Sequence, residues 1–268
     1  MKIFNINLDR LKYKDFFRKI TKFEKQNIVF TPNPEILLKT KSDKEFWDLL
    51  KESDFLTPDG IGLYIAFQIL AEKNTLFKYI KLPYYFFNLF FRRQYLYKQF
   101  WDRICGSDLT KDVLQFAQKN KIKITIIDLY NPTDTKKVES QEIFSDTLKS
   151  KFPELTFDYF IYNPEHKDSI LKKIQKSESK VLFSTLGMKK QEESVIEIIG
   201  KCKNIKLWLG IWSSFDYIIW FQKRAPTLFR KLWLEWLYRL ITGPRKIDRL
   251  KRIWNAIFIF TYTILREK

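Results

Sequence analysis

The stretch Asn27-Ile-Val-Phe-Thr-Pro-Asn-Pro-Glu35 contains a short apolar run, a polar turn and the start of a helix. The apolar run is typical of a buried strand, and Asn33-Pro34 is a frequent helix N-terminus. Similar runs recur between helical patterns, at residues 54–57, 123–129, 155–161, 180–184 and 206–211. This alternation predicts an α/β fold with a mostly parallel, Rossmann-like sheet flanked by helices.

Bulk composition narrows the class of protein. The chain has 268 residues, of which 45% are hydrophobic and 30% are charged, so it can bury a core and is not globally disordered. Two cysteines, Cys105 and Cys202, are too few for a disulfide framework, and His166 is the only histidine, which argues against a structural zinc site. The start of the chain lacks a signal-peptide pattern, and no apolar run reaches the roughly 20 residues of a membrane span. We therefore expect a soluble, cytoplasmic protein.

Positive charge is concentrated at one end of the chain. The formal net charge is +18, and residues 223–268 hold twelve Lys/Arg against three Asp/Glu. Six of the eight tryptophans lie between Trp208 and Trp254. Basic residues mixed with aromatic residues suit the inner face of an anionic membrane, which the protein would contact peripherally. Nucleic-acid binding is disfavoured, because it needs such residues spread over a groove or sheet. A Lys-rich proteome would explain the excess of lysine alone.

The pattern changes after Arg224-Ala-Pro226, where helical segments 228–240 and 245–266 follow each other without a strand. We therefore divide the chain into an α/β catalytic domain, residues 1–222, and a basic, amphipathic helical appendage, residues 223–268. On the last helix, Arg245, Arg249 and Arg252 share one face, which would contact the membrane. An ordinary helix packed on the core, with a solvated arginine face, explains the pattern equally well.

Polar motifs follow several of the predicted strands. In open parallel sheets ligands bind beyond the carboxyl ends of the strands, so Thr31, Asp59, residues 187–191 and residues 210–216 should share one rim. Asp59 could act as a general base on a hydroxyl group, or could simply be a turn residue before a glycine. Thr31 and Asn33 could bind a ligand, or could cap the following helix.

The other strand ends suggest how a phosphate would be bound. The turn at Gly187 leads into a helix N-terminus, and Lys189 or Lys190 could add charge to a diphosphate site, unless the turn is merely solvated. Asp216 could bind a ribose or sugar hydroxyl, or cap a helix. The chain has no Asp-x-Asp motif to hold a metal, so Arg, Lys and helix N-termini would have to stabilise a departing diphosphate.

Taken together, these motifs resemble the WecG/TagA/CpsF family, glycosyltransferase family 26, over residues 27–252. The matching segments, in family order, are Thr31-Pro-Asn-Pro-Glu35, Pro58-Asp-Gly-Ile-Gly62, Arg103-Ile-Cys-Gly-Ser-Asp-Leu109, Leu186-Gly-Met-Lys-Lys-Gln-Glu192, Phe215-Asp216, Arg224-Ala-Pro226, Glu235-Trp-Leu-Tyr-Arg239 and Pro244-Arg245.

The resemblance implies an inverting, metal-independent transfer from a UDP-sugar to an undecaprenyl-diphosphate-linked sugar. Family members add N-acetylmannosamine in teichoic-acid or common-antigen synthesis, or serve capsule and exopolysaccharide synthesis, and the resemblance is compatible with a homo-oligomer. It makes Asp59 the catalytic base. The side chains that it assigns to substrate binding are Thr31, Asn33, Arg103, Gln191, Asp216, Arg239, Arg245, Arg249 and Arg252.

The chain departs from the family pattern at three places. It reads Gly210-Ile-Trp212 where the family has a glycine-rich loop, and Lys189 where a proline usually stands. The segment 77–101 is longer and more aromatic than usual, and could be a second membrane contact, a lid over the lipid, or an oligomer or core contact. Trp212 keeps open the alternative of a non-catalytic, membrane-bound scaffold of the same fold.

Overall fold

The computed structural model describes residues 2–92, 94–96, 102, 104–129, 136–211, 214–218, 226, 229, 237–238, 241 and 246–267. The strands are β1 (Lys2–Ile3), β2 (Ile6–Asn7), β3 (Asn27–Phe30), β4 (Phe55–Leu56), β5 (Ile124–Leu129), β6 (Phe157–Tyr162), β7 (Val181–Ser184) and β8 (Leu207–Gly210). The helices are α1 (Tyr13–Ile20), α2 (Pro34–Thr40), α3 (Lys44–Lys51), α4 (Ile61–Ala71), α5 (Thr75–Ile80), α6 (Leu82–Phe91), α7 (Gly106–Lys119), α8 (Lys136–Lys151), α9 (Lys167–Lys176), α10 (Lys190–Ile199), α11 (Ser214–Ile218), α12 (Lys246–Trp254) and α13 (Phe260–Leu265).

The strands β3 to β8 form one sheet in the order β4-β3-β8-β7-β5-β6, and every neighbouring pair is parallel. All four residues of β3, β7 and β8 are buried, as expected for strands covered on both faces. The predicted α/β fold with a parallel, Rossmann-like sheet is confirmed. A small antiparallel hairpin, β1–β2, was not predicted; it turns through Phe4 and Asn5, both in the left-handed region.

Helices cover the sheet on both faces. One core contains Ile28, Phe30 and Trp208 and is closed by α2, α3, α4 and α10. The opposite core contains Val29 and Leu209 and is closed by α1, α7, α8 and α11. The helices that follow the adjacent strands β3 and β8 thus lie on opposite faces, and in open parallel sheets this arrangement places the ligand crevice at the carboxyl ends of the two strands.

The C-terminal helices return to the first half of the chain. A π-helical segment, Asn255–Ile259, joins α12 to α13, and α13 packs on α4. Phe260, Ile264 and Leu265 are buried in the same core as α4, and the Phe260 ring lies edge-on to Phe4 at 6.0 Å. The end of the chain is therefore attached to the sheet domain by apolar packing. The division at residues 222/223 stays a prediction.

Among the residues that the structure describes, no helix combines the length and the apolar character needed to cross a bilayer.

Candidate functional site

Backbone pairing sets the position of Asp59 at the carboxyl end of the sheet. Beyond β4, the Thr57 N–H donates to Phe30 O at 3.0 Å and the Asp59 N–H donates to Pro32 O at 2.9 Å. Gly60 follows with φ +106°, a conformation that L-residues rarely adopt. The chain therefore turns sharply into α4 just after Asp59, and holds this carboxylate beside the Thr31–Asn33 segment.

The N-terminus of α7 meets the same place. The Gly106 N–H lies 3.5 Å from Asp59 Oδ2. A Cβ atom at position 106 would lie 3.1 Å from Ser214 Oγ and 3.2 Å from Thr31 Oγ1. A carboxylate, two hydroxyl groups and the positive end of a 14-residue helix thus converge at the crevice. This set can accept a proton from a hydroxyl group and bind an oxygen-rich ligand.

Asn33 lies beside Asp59 and has a structural role of its own. Its Oδ1 accepts a hydrogen bond from the Ile36 N–H at 3.0 Å, so it caps α2. The capping alternative therefore applies, yet the cap occupies the carbonyl oxygen only. The amide N–H groups of Asn33 remain as potential donors to a ligand.

The C-terminal helix reaches this rim. A Cβ atom at Gly62 would lie 2.6 Å from Ala256 O and 2.8 Å from Pro34 Cγ, so only glycine permits this close contact between α4 and the π-helical segment. One turn earlier, Arg252 Nε lies 3.7 Å from Glu35 Oε1, and the Arg252 side chain is 57% exposed. The structure thus brings Arg252 close to the Thr31–Glu35 segment.

The other predicted arginine and aspartate side chains lie outside what the structure describes. Arg103, Arg239 and Arg245 are not among the described residues. Asp216 and Arg249 lie on α11 and α12, but their side chains are not described. Their assigned contacts stay predictions, as does the role of Trp212.

Gln191 lies under the end of β8 rather than on the surface. It is 2% exposed, and a Cβ atom at Gly210 would lie 3.4 Å from its Cδ. Its Nε2 donates to Glu192 Oε1 at 2.7 Å, which fixes the orientation of the amide. Glu192 is completely buried, and this burial raises its pKa to about 7. Sequence reasoning quoted Glu192 only as part of a motif and missed this buried acid beside Gln191.

Lys189 forms ion pairs with the start of α3. Its Nζ lies 3.1 Å from Asp43 Oδ2 and 2.6 Å from Glu45 Oε2, both contributed by the start of α3. These carboxylates raise the pKa of the Lys189 ammonium. The suggestion that Lys189 or Lys190 adds charge to a diphosphate site stays a prediction, and at Lys189 the carboxylates of α3 would compete with a diphosphate for the ammonium group.

A second polar cluster follows β5 and β7. Asp128 accepts hydrogen bonds from Thr185 Oγ1 at 2.8 Å and from Tyr159 Oη at 2.9 Å. Burial, and then the Asp128 charge, raise the pKa of Tyr159. Asp128 and Thr185 also stand at the carboxyl ends of strands, so the rule that ligands bind at these ends could have identified them from the sequence. In the described part of the chain, no three His, Cys, Asp or Glu side chains cluster as metal ligands would.

Comparison with known proteins finds similarity along most of the chain. A family model described as "Glycosyl transferase WecG/TagA/CpsF family" matches residues 1–90 and 88–268. N-acetylglucosaminyldiphosphoundecaprenol N-acetyl-beta-D-mannosaminyltransferase of Staphylococcus aureus strain MRSA252 is 24% identical over 241 residues, covering 90% of this chain and 80% of the relative. The protein of the same name from Staphylococcus aureus strain NCTC 8325 / PS 47 shows the same identity and coverage.

Proposed function

Because this chain belongs to the WecG/TagA/CpsF glycosyltransferase family and is a glycosyltransferase, we propose that it transfers N-acetylmannosamine or a related hexose from a UDP-sugar. The proposed acceptor is a sugar linked to undecaprenyl diphosphate, and the product enters teichoic-acid or cell-surface polysaccharide synthesis. The reaction takes place on the cytoplasmic face of the membrane, where such an acceptor is anchored. The names of the Staphylococcus aureus relatives support the sugar and the acceptor.

The observation that carries the proposal is the convergence of Asp59 with the α7 N-terminus, Thr31 and Ser214. In the proposed reaction Asp59 accepts the proton of the acceptor hydroxyl, and the hydroxyl oxygen bonds to the anomeric carbon of the donor. The bond from that carbon to the diphosphate oxygen breaks, and UDP leaves with the electron pair. Attack opposite the leaving group inverts the anomeric centre.

Arginine side chains are proposed to take the place of a metal ion at the diphosphate. The guanidinium group matches the geometry of phosphate oxygens and keeps its charge. Arg252, which pairs with Glu35 at 3.7 Å while its side chain stays 57% exposed, is the described arginine that we propose for this role. The remaining candidates for binding the diphosphates are Arg103, Arg239, Arg245 and Arg249.

The test of the proposed function is UDP release from a panel of UDP-sugars, with and without a prenyl-diphosphate-N-acetylglucosamine acceptor. We expect release from one donor, dependent on the acceptor and unchanged in EDTA, and a product with the inverted anomeric configuration by NMR. Activity that EDTA abolishes and Mg²⁺ or Mn²⁺ restores would contradict the arginine-based mechanism. Folded protein that releases UDP from no donor would contradict the transferase assignment to these substrates.

Gly106 offers a direct test of the crevice geometry. Gly106→Ala places a methyl group 3.1–3.2 Å from the Ser214 and Thr31 hydroxyl oxygens, which must then move. Misplacing groups at a reaction centre lowers rates by about 10- to 100-fold, and we expect a loss of that size in transfer. The protein should stay folded, because the better helix propensity of alanine partly offsets the cost of the tight contacts.

The matched control is Gly200→Ala, where no atom lies within 4 Å of the new Cβ. We expect this variant to transfer sugar at the wild-type rate. Equal rates for the two variants would show that the space at Gly106 is unimportant to the reaction.

A further inference from the structure

The helices α5 and α6 are consecutive, with only Lys81 between them, and hydrogen bonds from the Lys81 N–H to Phe77 O and from the Tyr85 N–H to Lys81 O continue across this junction. This bent helical pair, which we call the α5–α6 hairpin, presents apolar side chains to the outside. None of the six residues of α5 is buried. Across the two helices the large exposed side chains, which we call the outer face of the hairpin, are Leu76, Phe77, Tyr79, Ile80, Tyr84, Phe87 and Phe91. Phe91 is 74% exposed and Leu76 is 64% exposed, which is unusual for so many neighbouring apolar residues.

The inner face of the hairpin is firmly attached to α4. Tyr85, Asn88 and Leu89 are at most 5% exposed. Gln68 of α4 donates to Tyr85 O at 3.2 Å and accepts from Asn88 Nδ2 at 2.8 Å. Buried polar pairs of this kind specify one packing arrangement. The exposure of the outer face is therefore a property of the folded protein and not of a segment that failed to pack.

The charge of the hairpin favours one kind of partner. From Glu72 to Leu96 the sequence has five Lys/Arg and one acidic residue, Glu72, which pairs with Lys81 at 2.5 Å, so the segment keeps a net positive charge. Lys81 Nζ lies over the Phe77 ring at 5.2 Å, and Arg92 lies 5.4 Å from the Tyr95 ring centre, so cations border the aromatic side chains. A second copy of this surface would bring like charges together, whereas an anionic bilayer complements both the charge and the aromatic rings.

We propose that the α5–α6 hairpin lies in the headgroup region of an anionic bilayer, as a docking surface separate from the basic C-terminal helix. Neither helix is long enough to cross the membrane, so the hairpin lies along its plane. Its support, α4, begins two residues after Asp59. Docking through the hairpin therefore holds the Asp59 crevice near the bilayer surface. The inference rests on the proposed lipid-linked acceptor for its purpose, but its test does not require turnover.

A fluorescent label locates the hairpin relative to the bilayer. Phe91→Cys can be labelled selectively with an NBD dye, because Cys105 and Cys202 are buried. With vesicles of phosphatidylglycerol and brominated phosphatidylcholine, we expect a blue shift and quenching of the label at position 91. The control is Ile143→Cys on α8, where the native side chain is 52% exposed and no change is expected. Bound protein with an unquenched label at 91, or a shift that follows protein concentration without vesicles, would overturn the proposal, the latter in favour of self-association.

Loss of the apolar side chains provides the second test. We expect the triple variant Ile80→Ser, Phe87→Ser, Phe91→Ser to bind these vesicles about tenfold more weakly or worse, while Ile143→Ser binds like the wild type. Turnover of a water-soluble, short-chain acceptor should be unchanged, while turnover of a vesicle-embedded acceptor falls. If the triple variant turns over both acceptors more slowly, the hairpin supports the structure of the site itself, which would contradict the proposal. If the wild-type protein turns over neither acceptor, the proposed function fails and the two vesicle measurements still decide on docking.

Discussion

Asp59→Asn is expected to lower the transfer rate about 100- to 10,000-fold while the protein stays folded. Asparagine cannot accept the proton of the acceptor hydroxyl, but it has the shape of aspartate. The backbone bond from residue 59 to Pro32 O is unaffected, and an amide oxygen can still lie near the Gly106 N–H. The measurement is acceptor-dependent UDP release at saturating donor, together with thermal unfolding of the same sample.

Asp54→Asn is the matched control, because it makes the same change at the opposite end of the β4 strand. Asp54 Oδ2 accepts from the Ile28 N–H at 3.0 Å, and Oδ1 pairs with Lys25, so its role is to join β3 and β4. We expect a small loss of stability and an unchanged transfer rate. A wild-type rate in Asp59→Asn would remove Asp59 from the role of base, and an equal loss in both variants would point to a general effect on the sheet.

The sheet could be predicted because each buried parallel strand is a continuous apolar run between polar turns. Val181–Ser184 and Leu207–Gly210 show this pattern, and both lie where the sequence predicts a strand. The β1–β2 hairpin was missed because its strands have two residues each and its turn contains no glycine. The α5–α6 hairpin has apolar residues on both its inner and outer faces, so it lacks the amphipathic period that identifies a surface helix.

The sequence could predict only those residues of the candidate site that lie at the carboxyl ends of strands. Thr31 and Asp59 stand next to each other at the crevice, as the general rule for parallel sheets implies. The pairing of Lys189 with Glu45 joins residues 144 positions apart, and the contact of Ala256 with Gly62 joins the two ends of the chain. Such contacts depend on how helices pack, and local sequence patterns carry no record of them.

Glu192→Gln is expected to raise the free energy of unfolding, relative to that of the wild type, by about 3 kcal/mol as the pH increases from about 4 to about 8. Burial raises the pKa of Glu192 from 4.5 to about 7 in the folded protein, while the unfolded chain keeps the lower value. The stabilising contribution of the protonated acid is fully present below about pH 4.5 and is lost as the pH rises through about 7. Glutamine stays neutral, so the variant should gain on the wild type by this amount between about pH 4 and pH 8.

Denaturant unfolding of both proteins across this range measures the effect, and the difference between the two curves cancels the titration of all other groups. The control is Glu178→Gln, which also removes a glutamate charge but at an exposed position that is not among the groups acting on Glu192, and whose difference from the wild type should be nearly constant. Parallel curves for Glu192→Gln would mean that Glu192 ionises normally in the folded state. Because glutamine at 192 keeps an oxygen to accept from Gln191 Nε2, the variant separates the charge of this buried acid from its orientation of the Gln191 amide. If Glu192→Gln is more stable than the wild type at pH 8 and transfers sugar at the same rate, the reaction does not need the charge of Glu192, and its remaining role is to orient the Gln191 amide.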